Sequence, residues 1–152
     1  MKRRNRMLLL VATLGFVAGT MGCQSSDGPL NRTDVRDGVF VHLSKGAEDP
    51  HAVSMALKMA DLMAADRDVL VYCDLKGINV VLQDAPDIRF PTFDSSRTQI
   101  KALMGRSVPI YACPGCLKAL GKTPGDLMPG VRVAEKEAFF SFTKGRILTL
   151  DY

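Results

Sequence analysis

Residues 108–121 read Val-Pro-Ile-Tyr-Ala-Cys-Pro-Gly-Cys-Leu-Lys-Ala-Leu-Gly, an apolar run that leads into a C-x-x-C motif and then a helical pattern. The run predicts a β-strand over 108–112, and the residues after it predict a short helix. Pro114 suits the first helical position, where its missing N–H leaves no hydrogen bond unmade. We therefore expect Cys113 at a junction between a strand and a helix, with Cys116 on the same helical face.

Short β-rich runs alternate with helical patterns on both sides of this junction. Strands are predicted at 39–43, 69–73, 108–112, 131–133 and 146–150. The first two are continuous apolar runs, as expected of strands that are covered on both faces. Because helical patterns flank the middle three strands, the order of elements predicts an α/β fold with a mainly parallel sheet.

Capping residues mark where the helices begin. Asp49 and Pro50 predict the start of a first helix, and Ser95 or Ser96 predicts the start of a second helix that ends near Gly105. The other segments are predicted as a short helix over 77–82, an irregular loop over 84–93, a helical turn near 123–126 and a final helix over 134–143.

The positive charge of the chain is concentrated at its amino terminus. The chain has 152 residues and a formal net charge of +4, and Lys2, Arg3, Arg4 and Arg6 account for all of it. Without these four residues, 16 basic and 16 acidic residues remain, so the electrostatic case for nucleic-acid binding disappears. The uncharged run over 7–21 is shorter than the roughly 20 residues that span a bilayer. Residues 1–22 are therefore predicted to be a signal peptide.

Gly22 and Cys23 close this run and resemble the lipobox of bacterial lipoproteins, in which cleavage exposes the cysteine for lipid attachment. The resemblance implies lipidation of Cys23 and anchoring in the bacterial cell envelope, facing the periplasm. Gln24 after the cysteine favours the outer membrane by the same analogy. The alternative is ordinary secretion with an incidental cysteine. Residues 23–37 are polar with Gly and Pro and predict a tether, and residues 38–152 are predicted to be the folded domain.

The two cysteines of the C-x-x-C motif carry the strongest chemical signal. Free backbone N–H groups and the helix dipole favour a thiolate at the start of a helix, so Cys113 is the predicted nucleophile. Cys116 is within disulfide reach and is the predicted resolving thiol. A thioredoxin is not indicated, because two βα segments precede the motif and only 36 residues follow it.

Two alternatives to a reactive thiol stay open. The pair can form a structural disulfide, which an exported protein's oxidising surroundings favour. It can also bind a soft metal, although two thiolates are too few for a closed zinc site, which has four ligands. Cys73 and His42 lie at or near the ends of the first two strands, whose carboxyl ends share an edge with Cys113 in a parallel sheet. Cys113, Cys116, Cys73 and His42 are therefore the conditional metal set.

The loop after the first strand is a weaker candidate for binding. Ser44 and Lys45 precede the predicted first helix, and Lys45 is positioned by the sequence to stabilise an anion near the same edge. A solvated turn with a capping Asp49 is the simpler interpretation of the same residues.

The domain resembles the DsrE/DsrF-like family of small sulfur-relay proteins over about 38–152. The resemblance rests on Gly-Val-Phe-Val-His-Leu-Ser-Lys-Gly at 38–46, on Asp-Val-Leu-Val-Tyr at 68–72, and above all on Tyr-Ala-Cys at 111–113. It implies a three-layer α/β/α sandwich, association as a trimer or hexamer, and sulfane sulfur carried as a persulfide on Cys113. No other cofactor is expected.

Two features depart from that family: the second thiol, Cys116, and the export signal. By attacking a persulfide on Cys113, Cys116 would release sulfide and leave a disulfide, which favours redox turnover over storage. We therefore expect an envelope-anchored protein whose partners are a sulfur donor or acceptor or a protein thiol. The alternative is a non-catalytic binding or assembly module on the same fold.

Overall fold

The computed structural model describes residues 35–152. The predicted signal peptide, the lipidation site at Cys23 and most of the predicted tether lie outside the described residues. The last tether residues already bond to the domain. The hydroxyl of Thr143 donates to the carbonyl of Arg36, and Arg146 forms an ion pair with Asp37 at 2.6 Å. Among the described residues, no helix combines the length and apolar character needed to cross a membrane.

Five strands form one sheet in the order β4-β3-β2-β1-β5, and every strand pair is parallel. The α/β fold predicted from the sequence is confirmed. Along the chain, the strands and α-helices are β1 (Gly38–Leu43), α1 (Pro50–Met63), β2 (Asp68–Cys73), α2 (Ser96–Gly105), β3 (Ile110–Ala112), α3 (Pro114–Ala119), β4 (Arg132–Val133), α4 (Ala138–Ser141) and β5 (Ile147–Asp151). Two 3-10 helices, Leu75–Val80 and Pro124–Asp126, complete the order.

The predicted caps begin the two long helices. The Asp49 side chain accepts the N–H of Ala52 at 3.0 Å, and the Ser95 hydroxyl accepts the N–H of Thr98 at 3.4 Å. The last helix is shorter than the predicted 134–143. The N–H of Ala134 donates to the carbonyl of Ala112 at 2.9 Å and so continues the β3–β4 pairing, which keeps this residue out of the helix.

The two faces of the sheet differ in how they are covered. The β1 residues Val39, Val41 and Leu43 belong to the main core, which includes buried side chains of α1 and α2. The opposite face carries Phe40 and Tyr72, and Phe139 of α4 packs on both rings at 5.8 and 5.1 Å between centroids. Helices therefore lie on both faces, but the second face is covered by a single helical turn and stays partly exposed.

The close approach of one glycine holds the segment after β2 against the sheet. Gly77 lies on the carbonyl of Leu43, where a Cβ atom would overlap the backbone oxygen. Its N–H donates to the carbonyl of Ser44 at 3.1 Å. The first 3-10 helix is thereby placed beside the carboxyl ends of the strands, next to α3.

Candidate thiol site at the carboxyl edge of the sheet

Cys113 is the N-cap of α3, as the sequence predicts. Its N–H donates to the carbonyl of Cys73 at 2.9 Å and continues the pairing of β2 with β3. Its Sγ accepts the N–H of Cys116 at 3.4 Å, and Pro114 occupies the first turn. The backbone thus passes from strand to helix at this residue, and the thiol is left only half-buried.

The surroundings of Cys113 favour its thiolate. Partial burial by itself raises the pKa of Cys113, but hydrogen bonds from the Tyr72 hydroxyl, the Cys116 N–H and thiol, and the Gly115 N–H together hold that pKa below its ordinary value. A lowered pKa increases the fraction of sulfur that is ionised and able to attack. Cys113 therefore has the electrostatic character of a nucleophile.

The pKa of Cys116 is shifted in the opposite direction, above its ordinary value. Its hydrogen bond to Cys113 and its partial burial raise the pKa of Cys116, while the N–H of Leu75, which donates to its Sγ at 3.3 Å, lowers it. Leu75 has a φ of 42°, in the left-handed region that non-glycine residues rarely adopt. The two thiols of the motif are both free and are electrostatically unequal.

Tyr72 is a member of this site that the sequence analysis missed. It lies on β2 beside His42 of β1 and Tyr111 of β3, on the less covered face of the sheet. Burial raises its pKa, and the neighbouring Cys113 raises it further, so the hydroxyl keeps its proton. It therefore remains available as a donor to a thiolate at Cys113.

Cys73 is adjacent in sequence to Tyr72 but has the opposite environment. It is fully buried within the main core, and burial followed by the charge of Asp74 raises its pKa to about 12. A thiol in that state is inert at neutral pH.

His42 does not join the cysteines but bridges two carboxylates. Its Nε2 lies 2.9 Å from Asp74 Oδ1 and its Nδ1 lies 2.8 Å from Asp151 Oδ1. Partial burial by itself lowers the pKa of His42, but hydrogen bonds to Asp151 and Asp74 raise it above its ordinary value.

The structure does not bring together the four residues of the conditional metal set, which are Cys113, Cys116, Cys73 and His42. Cys73 faces the main core, whereas His42 lies on the other face with both ring nitrogens occupied. Between residues 35 and 152, no group of three or more His, Cys, Asp or Glu side chains has an arrangement that fits a metal ion.

Ser44 and Lys45 have environments that are separate from those of the two thiols. The Ser44 hydroxyl donates to the carbonyl of Tyr152 at 2.7 Å, so this side chain anchors the carboxyl terminus. Lys45 lines an open cleft with Glu48 and Lys76, and Leu75 connects this cleft to the Cys116 sulfur. Lys45 follows β1 and so lies at the carboxyl edge of the sheet, and its role in binding an anion stays a prediction.

A signal for the missed residues is present in the sequence. Tyr72, Asp74 and Asp151 all lie at the carboxyl ends of predicted strands, where side chains of a parallel sheet converge. The rule that places the cysteines and His42 at this edge also places the two carboxylates and the tyrosine there.

The fold and the thiol pair together define a class of protein, a small parallel α/β domain with a C-x-x-C motif that caps a helix at the carboxyl edge of its sheet. No family model and no curated protein matches the sequence. Solved structures do match. MTH1491 from Methanobacterium thermoautotrophicum, described as a protein of unknown function, is 22% identical with a TM-score of 0.58 over 77% of this chain and 99% of its own. The ychN protein from E. coli is 12% identical with a TM-score of 0.53 over 76% and 99%.

Both of these proteins have the DsrE/DsrF-like fold, so the fold implied by the sequence resemblance is confirmed. At these identities the likeness establishes the architecture alone. The chemistry has to be argued from the residues of this chain.

Proposed function

We propose that this chain handles sulfane sulfur or thiol redox equivalents through Cys113, with Cys116 as the resolving thiol. The observation that carries the proposal is the position of Cys113 as the N-cap of α3, where its half-buried Sγ accepts the Cys116 N–H at 3.4 Å. Donors at this position favour the Cys113 thiolate, which supports Cys113 as the first nucleophile and leaves Cys116, three residues further on, to act as the resolving thiol.

The first step is transfer of one sulfur atom. The Cys113 thiolate attacks the terminal sulfur of a polysulfide, the sulfur–sulfur bond behind that atom breaks, and a polysulfide one atom shorter leaves with the electron pair. Cys113 then carries a persulfide. An acceptor thiolate that attacks the outer sulfur takes it away and returns Cys113 to a thiolate.

The second step uses Cys116. After losing its proton to solvent, Cys116 attacks the Cys113 Sγ, the bond to the outer sulfur breaks, and hydrosulfide leaves. The products are one sulfide and a Cys113–Cys116 disulfide. A dithiol reductant then restores both thiols and is itself oxidised to a disulfide.

The experiment is mass spectrometry of thiol-labelled protein after incubation with inorganic polysulfide. We expect one added sulfur on the peptide that contains Cys113 in the Cys116→Ser variant, and no added sulfur on that peptide in Cys113→Ser. In the unaltered chain we expect released sulfide and a Cys113–Cys116 disulfide. A disulfide that resists reductant, or a stoichiometric bound metal, would instead favour a binding or assembly module.

We propose that this chemistry takes place in the bacterial cell envelope, on a protein anchored through lipid at Cys23 and facing the periplasm. We propose further that the domain associates with itself as a trimer or hexamer. Mass spectrometry of the native amino terminus tests the anchor, and an unmodified Cys23 would contradict it. Light scattering of the purified protein tests the oligomer.

A further inference from the structure

Three side chains at the same edge of the sheet as the thiol pair have no part in the proposed chemistry. His42 lies near the end of β1, Asp151 ends β5 on one side of it, and Asp74 follows β2 on the other. The imidazole contacts both carboxylates at hydrogen-bonding distance, 2.8 Å to Asp151 and 2.9 Å to Asp74. The side chain of Asp74 is only 21% exposed, so its charge is not simply solvated.

The geometry determines the charge of this cluster. An ionised carboxylate only accepts hydrogen bonds, so an imidazole between two carboxylates has to donate from both ring nitrogens. Only the imidazolium does that. His42 therefore acts as the cation that holds two carboxylates at neighbouring strand ends.

Asp74 connects this cluster to the thiol pair. The next residue is Leu75, whose N–H donates to Cys116 Sγ at 3.3 Å. Leu75 has the strained φ of 42°, so the direction of its N–H depends on how the chain is held on either side. On one side, the N–H of Asp74 donates to the carbonyl of Leu43 at 3.2 Å and its carboxylate bonds to His42. On the other side, Gly77 packs closely against the carbonyl of Leu43 and so fixes the backbone that follows Leu75.

Resting on the proposed function, we infer that His42 is a positioning residue for the resolving thiol. By holding Asp74, it keeps the Leu75 N–H on the Cys116 sulfur, and its positive charge offsets that of the Asp74 carboxylate. Both effects favour Cys116 as a thiolate during attack on the Cys113 persulfide.

Removal of the His42 imidazole changes two contributions to the pKa of Cys116, and both changes raise that pKa. The Leu75 N–H loses its support, and the Asp74 charge is left uncompensated. The Leu75 hydrogen bond lowers the pKa of Cys116, whereas the charges of Cys113 and Asp74 raise it. A His42→Ala variant should therefore disfavour the Cys116 thiolate and leave the first step at Cys113 nearly unchanged.

The test separates the two steps with polysulfide as the probe. Persulfide formation on Cys113 is measured in the Cys116→Ser background, and sulfide release is measured in the chain with both thiols. We expect His42→Ala to slow sulfide release by about tenfold and persulfide formation by less than about twofold. His42→Gln should recover part of the loss, because its amide can still donate to Asp74.

The chain supplies a matched control. Its second histidine, His51, stacks on Phe90 at 4.3 Å between ring centroids, outside the thiol site. His51→Ala should leave both steps unchanged. Equal slowing of both steps in His42→Ala, or no slowing of sulfide release, would overturn the assignment of a positioning role.

A second measurement keeps this inference independent of sulfur transfer. In the Cys113→Ser background, the rate at which iodoacetamide alkylates Cys116 at pH 7 reports its thiolate directly. We expect His42→Ala to lower that rate by about fivefold to tenfold. Absence of any persulfide would refute the proposed function alone, whereas an unchanged alkylation rate would refute the role of His42.

Discussion

Cys73 at the end of β2 and Cys113 just after the neighbouring β3 are joined by a backbone hydrogen bond of 2.9 Å, yet their thiols have opposite properties. Cys73 lies within the core and its thiol is held protonated by burial. Cys113 lies one residue past the end of β3, half-buried, with donors directed at its sulfur. The comparison shows that neighbouring backbone positions at one sheet edge can produce an inert and a reactive thiol. The difference comes from which face the side chain leaves and which donors it meets.

The most direct way to sharpen this comparison is the relative reactivity of the two thiols. Cys73 has a pKa of about 12 and the pKa of Cys113 is below its ordinary value of 9.0, so their thiolate fractions at pH 7 differ by a factor on the order of 1,000 or more. Alkylation of the native protein, resolved by peptide mass spectrometry, should show this ratio. In denaturant the two rates should become similar, and a ratio that survives unfolding would contradict the structural explanation.

The second-largest effect is expected from a substitution that disturbs the close packing at the carboxyl edge of the sheet, where both thiols lie. Gly77→Ala would place a methyl group on the Leu43 carbonyl, and we expect it to lower the free energy of unfolding by about 3 kcal/mol. Gly105→Ala is the control, because nothing lies within 4 Å of a Cβ atom there. At that helical position alanine should raise the free energy of unfolding by roughly 0.5–1 kcal/mol. Urea unfolding measures both, and a neutral Gly77→Ala would show that the edge rearranges easily.

A smaller effect is expected from the donor that acts on one thiol alone. Tyr72→Phe removes the hydroxyl that lowers the pKa of Cys113 and should slow alkylation of Cys113 at pH 7 by about tenfold. Tyr111→Phe is the matched control. Tyr111 is paired with Tyr72 in the sheet, but its ring lies under Arg132 at 4.9 Å. An equal slowing in both variants would point to disturbed packing instead of a lost donor.

The smallest effect is a pH dependence of stability. The pKa of His42 is raised in the folded protein, so its stabilising contribution is complete below the unfolded value of about 6.5. It is lost as the pH rises through the folded value. The free energy of unfolding of the unaltered chain relative to His42→Gln should therefore be largest near pH 6 and decrease above it. A difference that is constant with pH would contradict the imidazolium assignment, and His51→Ala should keep the dependence.

The helix starts and the thiol junction were predictable because they rest on neighbours in sequence. Asp49 and Ser95 cap helices within three residues of themselves, and Cys113 with Pro114 does the same. The length of the last helix was not predictable in this way. The N–H of Ala134 bonds to the carbonyl of Ala112 across the sheet, and this long-range pairing keeps residue 134 in an extended conformation that the local pattern does not show.

The sequence alone determined the α/β class, the position of Cys113 at a strand-to-helix junction and the presence of a second thiol one turn away, because each depends on the spacing of adjacent residues. Only the tertiary structure decided that Cys73 is buried while Tyr72 lowers the pKa of Cys113, and that His42 bonds to Asp74 and Asp151 instead of joining the cysteines. Those outcomes depend on register and on which face each strand turns to the core. Local residue patterns do not specify how residues 109 positions apart, such as His42 and Asp151, will meet.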